Sequence, residues 1–391
     1  QKPELFQVSF NAAADQSRFF ASTLDSAQPT TLMADQASML KSRFNWGDYV
    51  IITSAEMVAA AQNLADYRAA QGYLSKVVDI DDIYDEFSQG ITDASAIKDF
   101  LAYAYQNWRR PPQFVLLAGD GSYDYKDCMG FGAPVIPPLL TGTPDGLFVT
   151  DNPYADITGN DGIPEIFLGR VPVVSEEELL GYIEKVKAYE AGGQWENRGL
   201  FAADVPEAGA DFSADSDHVA DLLPQGFMRD RIYLGEMSLA DGRQAFVERI
   251  NSGAAYVNFV GHGGIDLIGN KRLFSTDDVA QLANAENAPV VTAMTCASGN
   301  FGFLGFDALN EVMVTNVGGG AVAMWSPAGF ADHGLSMTLC EEFYRAIFEN
   351  GEGTLGGAIR QAQVAFVKGR EYRHYLDLYN LLGDPALRVK K

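Results

Sequence analysis

The sequence predicts an α/β fold in which two side-by-side units each build a mostly parallel sheet flanked by helices. Three observations carry that expectation. Short apolar runs of about five residues recur, as in strands buried on both faces. Stretches with helical spacing of apolar residues separate them, and such alternation implies parallel strands joined by crossovers. The alternation starts afresh after Gly192-Gly193, which divides the 391 residues into two lengths near the usual domain size of roughly 100–200 residues.

Residues 1–45 carry little pattern and a polar run from Ser22 to Thr31, so they read as a mostly irregular N-terminal arm. The first unit, 46–193, opens on Tyr49–Thr53 (YVIIT), a predicted buried strand. A helical pattern from Ala55 to Gln71 stops at Gly72. A strand at Lys76–Ile80, a helix at Ala94–Trp108 and a strand at Phe114–Ala118 are predicted next. Gly119 to Asn160 breaks the rhythm with Gly, Pro, Asp and Tyr, and a loop that long in a compact unit usually serves a function or a ligand. A strand at Ile166–Val174 and an amphipathic helix at Glu176–Glu190 close the unit.

The second unit, 194–391, repeats the scheme. Strands are predicted at Leu200–Ala203, Arg231–Leu234, Ala255–Val260, Pro289–Thr295 and Ala321–Trp325, with helices between them and from Leu335 to Phe348. The two units lie side by side, as one continuous sheet or two abutting ones.

Two of these strands end in reactive residues. Ala255–Val260 runs into Gly261-His262-Gly263-Gly264, and Pro289–Thr295 runs into Cys296-Ala297-Ser298-Gly299. Ser275 to Ala283 reads as the crossover helix between them, with Thr276 or Ser275 as its N-cap. Directly paired strands lie about 4.8 Å apart, and open α/β sheets put their sites at the carboxyl edge. His262 and Cys296 therefore meet without any long-range assumption.

The residue types suit nucleophilic catalysis. A thiolate attacks, while an imidazole takes its proton and later protonates the leaving amine. Gly263 leaves the backbone beside His262 uncovered, so its N–H can face a developing oxyanion together with the N–H of Cys296. Gly264 and Gly299 allow a peptide backbone to come close. A cysteine at a strand end is more often plain core packing. The glycine-flanked histidine on the matching strand end tips the balance for Cys296, and nothing comparable accompanies Cys128 or Cys340. His218, His333 and His374 stand without paired ligands and receive no catalytic role, although His333 can line the cleft.

Composition sets outer limits. With 47% hydrophobic residues the chain can bury a large core, and no stretch approaches the roughly 20 apolar residues of a membrane span. Its 28 basic against 52 acidic residues give a net charge of −24, which repels phosphate backbones and argues against nucleic acid as a partner. The same acidity suits calcium, a cationic substrate or a salty extracellular medium. Three scattered cysteines argue against a disulfide framework. The chain starts with Gln1 and no signal-type segment, so it reads as a processed or trimmed product. No GxGxxG or P-loop pattern follows a strand, which weakens a nucleotide-binding reading.

Several ordered motifs resemble the gingipain-type cysteine peptidases. They are Asn258-Phe-Val-Gly-His262-Gly-Gly264, Pro289-Val-Val to Thr295-Cys296-Ala-Ser-Gly-Asn-Phe301, Phe114-Val-Leu-Leu-Ala-Gly-Asp120, Pro164-Glu-Ile-Phe-Leu-Gly-Arg-Val-Pro172, Gly318-Gly-Gly-Ala-Val-Ala323 and Tyr379-Asn-Leu-Leu-Gly-Asp-Pro385. Together they reach from about Asp48 to the C-terminus. The resemblance implies a caspase-like architecture, with 46–193 non-catalytic and 194–391 carrying the dyad. The caspase signature around the cysteine is absent, so that kinship is one of fold and dyad.

The resemblance further implies a secreted or cell-surface endopeptidase acting on polypeptides after Arg or Lys, with a pro-segment or C-terminal domain removed. His262 becomes general base and acid, Cys296 the nucleophile and Gly263 an oxyanion donor, with no cofactor for the chemistry. Family members often orient the histidine with an acidic group; Asp204 matches best, against Glu207 or no third member. A basic P1 residue needs a buried anion, which Asp211 or Asp215 can supply. Trp325 is either a pocket wall or core, and the short segment after it departs from the Arg-specific members. The loop Asp156-Ile-Thr-Gly-Asn160-Asp161 gathers oxygen ligands suited to structural calcium, or is an ordinary acidic turn. A sortase-like transpeptidase using the same dyad and a non-catalytic caspase-like scaffold are the competing readings.

Overall fold

The computed structural model describes residues 38–159, 161–368 and 374–391, so the expected arm lies outside the described residues up to position 37, as does Asn160. The strands in chain order are β1 (Tyr49–Thr53), β2 (Ser75–Asp79), β3 (Phe114–Ala118), β4 (Leu139–Thr143), β5 (Gly146–Thr150), β6 (Phe167–Val171), β7 (Arg198–Ala203), β8 (Met228–Tyr233), β9 (Tyr256–Val260), β10 (Gly263–Gly264), β11 (Leu267–Ile268), β12 (Phe274–Ser275), β13 (Val290–Met294), β14 (Ala323–Pro327) and β15 (Tyr379–Gly383). Among the described residues ten of them make one continuous sheet in the order β2-β1-β3-β6-β15-β14-β13-β9-β7-β8. The helices are α1 (Val58–Ala70), α2 (Ile80–Ser88), α3 (Ala94–Asn107), α4 (Asn152–Ala155), α5 (Glu176–Ala191), α6 (Phe212–Asp221), α7 (Leu239–Asn251), α8 (Leu309–Thr315), α9 (His333–Phe348), α10 (Leu355–Val367) and α11 (His374–Leu378).

Burial follows sheet position. The inner strands β1, β3, β9, β13, β14 and β15 are buried along their whole length. Both edge strands are partly exposed, and β8 carries Arg229, Asp230 and Arg231. Charges on an open edge make it a poor template for pairing with another chain. The larger apolar core runs unbroken from Tyr49, Ile51 and Leu64 through Leu179 and Tyr182 to Phe201 and Val257, and takes in both faces of β7 and β9. On the face of β1 and β3 opposite Tyr49 and Ile51, Val50, Ile52, Ile97, Phe100, Val115 and Leu117 form a separate core under α2 and α3.

The sheet departs from a simple repeat at its centre. β15 pairs parallel with β6 and antiparallel with β14, so the last strand in the chain joins the strands of 46–193 to those of 194–391. Asp384, just past β15, is clamped by Arg68 of α1 at 2.7 Å and by the Tyr49 hydroxyl at 2.9 Å. Arg68 also reaches Glu190 of α5 at 2.7 Å, and both side chains of that pair are fully buried. A second buried pair, Arg170 with Asp151 at 2.7 Å, ties β6 to the residue after β5.

Three local differences from the sequence reading have plain causes. Ile80 starts α2 rather than ending β2, because the Asp79 carboxylate accepts the Asp81 N–H and caps a helix. The long segment after β3 holds the β4–β5 hairpin and α4, so it is less irregular than its composition implies. The crossover expected as a helix over Ser275–Ala283 is a 3₁₀ turn at Thr276–Gln281, capped by Ser275 in a reciprocal pair with Asp278.

One buried feature carries a pH signature. Burial and the nearby Asp120 charge push the Glu311 carboxyl well above the usual range, and burial pushes Asp120 up as well. Raised carboxyls favour the folded state below their ordinary range, and that contribution is lost as pH rises through the raised values. Glu311→Gln keeps an acceptor for the Ala308 N–H that Glu311 now caps. It is expected to raise the urea midpoint more at pH 8 than at pH 5. Equal shifts at both pH values would contradict the charge argument.

Candidate active site

β9 and β13 pair directly and in parallel, with Val260 opposite Met294 as the last matched residues. His262 and Cys296 each stand two positions further on. Their side chains line one small pocket of about 90 Å³ with Glu207, Ala210, Phe212, Thr295, Ala331 and His333. The spacing of the two motifs thus becomes a shared cleft at the carboxyl edge of the sheet.

Glycines shape the approach to His262. Gly261 has φ +150°, and a Cβ there would sit 2.4 Å from Cβ of Asp204. Gly263 runs so close to Thr295 that a Cβ would lie 2.3 Å from its Oγ1. The Gly269 N–H donates to the His262 carbonyl at 2.8 Å, which makes 262 and 269 a hydrogen-bonded pair of the β10–β11 ribbon. Ladder bonds alternate along an antiparallel ribbon, so the Gly263 N–H points out of it.

Cys296 is half-buried, its Sγ 3.9 Å from the Ala331 carbonyl. The next residue, Ala297, adopts φ +56°, a left-handed conformation that costs a non-glycine residue about 1–2 kcal/mol. The Ala297 N–H donates to the Gly329 carbonyl at 2.9 Å and that of Gly299 to the Pro327 carbonyl at 3.0 Å, which fastens the turn to the end of β14 and the segment after it. The other thiols differ sharply. Cys128 is exposed, while Cys340 is fully buried against Asn258, and burial pushes its thiol up.

The acidic residues sort themselves by contact. Asp204 is buried, and its two oxygens accept the Val205 N–H at 2.9 Å and the Asn270 N–H at 2.6 Å. The carboxylate beside His262 is Glu207, 3.2 Å from Nε2. Asp204 therefore anchors the loop under the histidine, whereas Glu207 occupies the place of an orienting acid. Both members of the His262–Glu207 pair are about half exposed, and exposed pairs are worth about 0.2–1 kcal/mol. Glu207→Gln is accordingly expected to lower kcat/KM by no more than about 5-fold, with a loss that shrinks in added salt. A hundredfold loss would show that the contact tightens during the reaction.

Asp211 caps α6 by accepting the Ala214 N–H, so it is spent on the helix. Asp215, one turn on, reaches His333 Nε2 at 2.7 Å. Phe212 shares its helix face and packs edge-on against both His262 and His333. Phe212 escaped the sequence reading; its spacing of three from Asp215, on a helix following the acidic strand end, was the available signal.

Trp325 is core. It lies inside β14 at 1% exposure, against Phe343 and Tyr379, and the cleft wall comes from Phe212, Ala331 and His333. In the loop expected to hold calcium, Asp156 accepts the Gly162 N–H through Oδ2 and Asp161 accepts the Ile163 N–H, while Asp156 Oδ1 is buried without a hydrogen-bond partner and Asn160 lies outside the described residues. Among the described residues no group of three or more His, Cys, Asp or Glu side chains is placed to hold a metal ion.

Comparison with known proteins bears on the fold and the family. Gingipain R2 of Porphyromonas gingivalis is 25% identical over 366 residues, covering 88% of this chain and 46% of that protein. Gingipain R1 of the same organism is 25% identical over 366 residues, covering 88% of this chain and 34% of that protein. The chain thus spans about half or less of the curated relatives it matches. The crystal structure of the Arg-specific cysteine proteinase gingipain R superposes with a TM-score of 0.74 at 22% identity, covering 91% of this chain and 80% of that one. A complex of the pro- and mature domains of the Porphyromonas gingivalis proteinase gives 0.73 at 22% identity, covering 88% and 80%. At such identity the likeness is one of fold. The model of peptidase family C25 matches residues 43–390, a stretch that holds every strand of the sheet and both reactive residues, and the chain belongs to that family.

Proposed function

We propose that the chain is a cysteine endopeptidase in which residues 194–391 form the catalytic half and 46–193 its non-catalytic companion. The observation that carries this reading is the matched placement of His262 and Cys296 beyond one strand pair, facing one pocket. The Cys296 thiolate attacks the scissile carbonyl carbon, and the resulting oxyanion takes hydrogen bonds from the N–H groups of Gly263 and Cys296. Imidazolium His262 protonates the departing amine as the C–N bond breaks, leaving a thioester. Neutral His262 then takes a proton from water, which attacks the thioester and releases the acid and the thiol.

Asp215, behind His333, is the carboxylate to attract a basic P1 side chain, since Asp211 is engaged in capping and Glu207, which lines the pocket, stands against His262. The family likeness supports a polypeptide substrate and a secreted or cell-surface location. It also supports synthesis with a pro-segment, as in the solved complex of pro- and mature domains.

Labelling with peptidyl Arg or Lys chloromethylketones, mapped by mass across pH, tests the reading. Selective modification of Cys296 that disappears in His262→Ala supports the dyad and reports P1 preference. Reaction at Cys296 no faster than at exposed Cys128 rejects it.

A further inference from the structure

We propose that His333 is a specificity-determining residue that makes acceptance of a basic P1 side chain depend on pH; this rests on the peptidase reading above. The pocket shared by His262 and Cys296 is lined by Phe212 and His333, not by Asp215. His333 Nε2 sits 2.7 Å from Asp215 Oδ2, and the side chains are 31% and 38% exposed. The imidazole therefore stands between the cleft and the carboxylate. From the shared pocket, a cationic side chain meets this ring before Asp215.

The charge state of the ring decides what such a side chain meets. Protonated His333 satisfies Asp215 and repels a guanidinium or ammonium group. Neutral His333 leaves the carboxylate charge uncompensated and removes the repulsion. An imidazole ordinarily exchanges its charge between about pH 5 and 8. Preference for a basic P1 residue should accordingly climb through that range.

The neighbours are named by element. Asp215 and the capping Asp211 come from α6, and Asp332 caps the start of α9, where His333 is the first residue. Across Phe212 lies His262 with Glu207 from the loop after β7. Tyr375 of α11 donates to the Asp332 carbonyl, and Cys296 faces Ala331. Further along the same two helices, His218 of α6 lies 3.5 Å from Glu341 of α9. His262 and Glu207 also line the pocket, so the His333→Gln variant is what separates the contribution of His333 from theirs.

The test uses two fluorogenic peptides that differ only at P1, arginine in one and isosteric uncharged citrulline in the other. The ratio of their kcat/KM values in the wild type is expected to rise about 5-fold from pH 5 to pH 8, the size of an exposed ion-pair contact. In His333→Gln the ratio should be flat, at the wild type's alkaline value. Asp215→Asn should lower it at every pH. Cleavage of both peptides with a pH-independent wild-type ratio, or a rise that survives His333→Gln, overturns the inference while leaving the peptidase reading intact. Failure to cleave either peptide, with Cys296 no more reactive than Cys128, overturns both.

Discussion

Replacing Cys296 with alanine is expected to lower peptide hydrolysis by about 10⁴-fold or more, because the reaction loses its covalent route. His262→Ala should cost a comparable factor, since a thiol without its base is a poor nucleophile and the leaving amine goes unprotonated. The two residues act as one unit, so the double variant should be little worse than either single one. Cys296→Ala leaves the core intact, and His262→Ala removes one edge contact with buried Phe212. Cys296 is half-buried and His262 about half exposed, so far-UV and thermal signatures should stay near the wild type. Initial rates on a peptide, read beside intact mass of the trapped thioester, check this directly. Hydrolysis persisting in Cys296→Ala within tenfold of wild type would remove the nucleophile from the proposal. Multiplicative losses in the double variant would instead mean the two side chains act separately.

The second large effect is on stability. Arg68→Met is expected to destabilise the fold by about 3–5 kcal/mol, the usual result of removing one partner from a buried ion pair. Arg68 donates from Nε and Nη2 to Asp384 and from Nη1 to Glu190 and Gln71, all with the guanidinium buried. Without it Asp384 keeps the Tyr49 hydroxyl and the Ala386 N–H, and Glu190 keeps the more exposed Arg388 as its cationic partner. Lysine offers no substitute, because its single ammonium cannot serve two carboxylates in the fixed fork that guanidinium provides. Urea denaturation at neutral pH measures the loss. Arg68→Met with Asp384→Asn should recover part of it, a coupling a double-mutant cycle quantifies. A midpoint unchanged in Arg68→Met would mean that water already solvates these carboxylates.

Much of this molecule is legible from local pattern. The inner strands are continuous apolar runs because both faces are covered, which is why Tyr49–Thr53 and Phe114–Ala118 are found at their true bounds. The shared pocket of His262 and Cys296 is legible for a related reason, since strand–crossover–strand geometry fixes where two strand ends meet.

What escaped depends on contacts between distant positions. β15 is a five-residue run behind a five-residue helix, and nothing local reveals that it turns against β14. Trp325 reads equally well as wall or core until β14 is known to continue to Pro327. Asp204 sits at the expected strand end, yet two backbone N–H groups, one of them 66 positions away, claim its oxygens before His262 can. His333 and Asp215 are 118 positions apart, so their pairing is invisible to any reading by spacing.

The position of β15 bears on how the protein comes into being. A ribosome delivers β6 and β14 long before residues 379–383, and until then each of those strands presents an unpaired edge. Unsatisfied strand edges in a nascent chain invite mispairing and chaperone capture. The final insertion closes contacts more than 200 positions long with β6, the kind of late, long-range step that slows maturation. In the proposed peptidase, the strands leading into His262 and Cys296 therefore belong to a sheet that is completed only after Gly383 has been made.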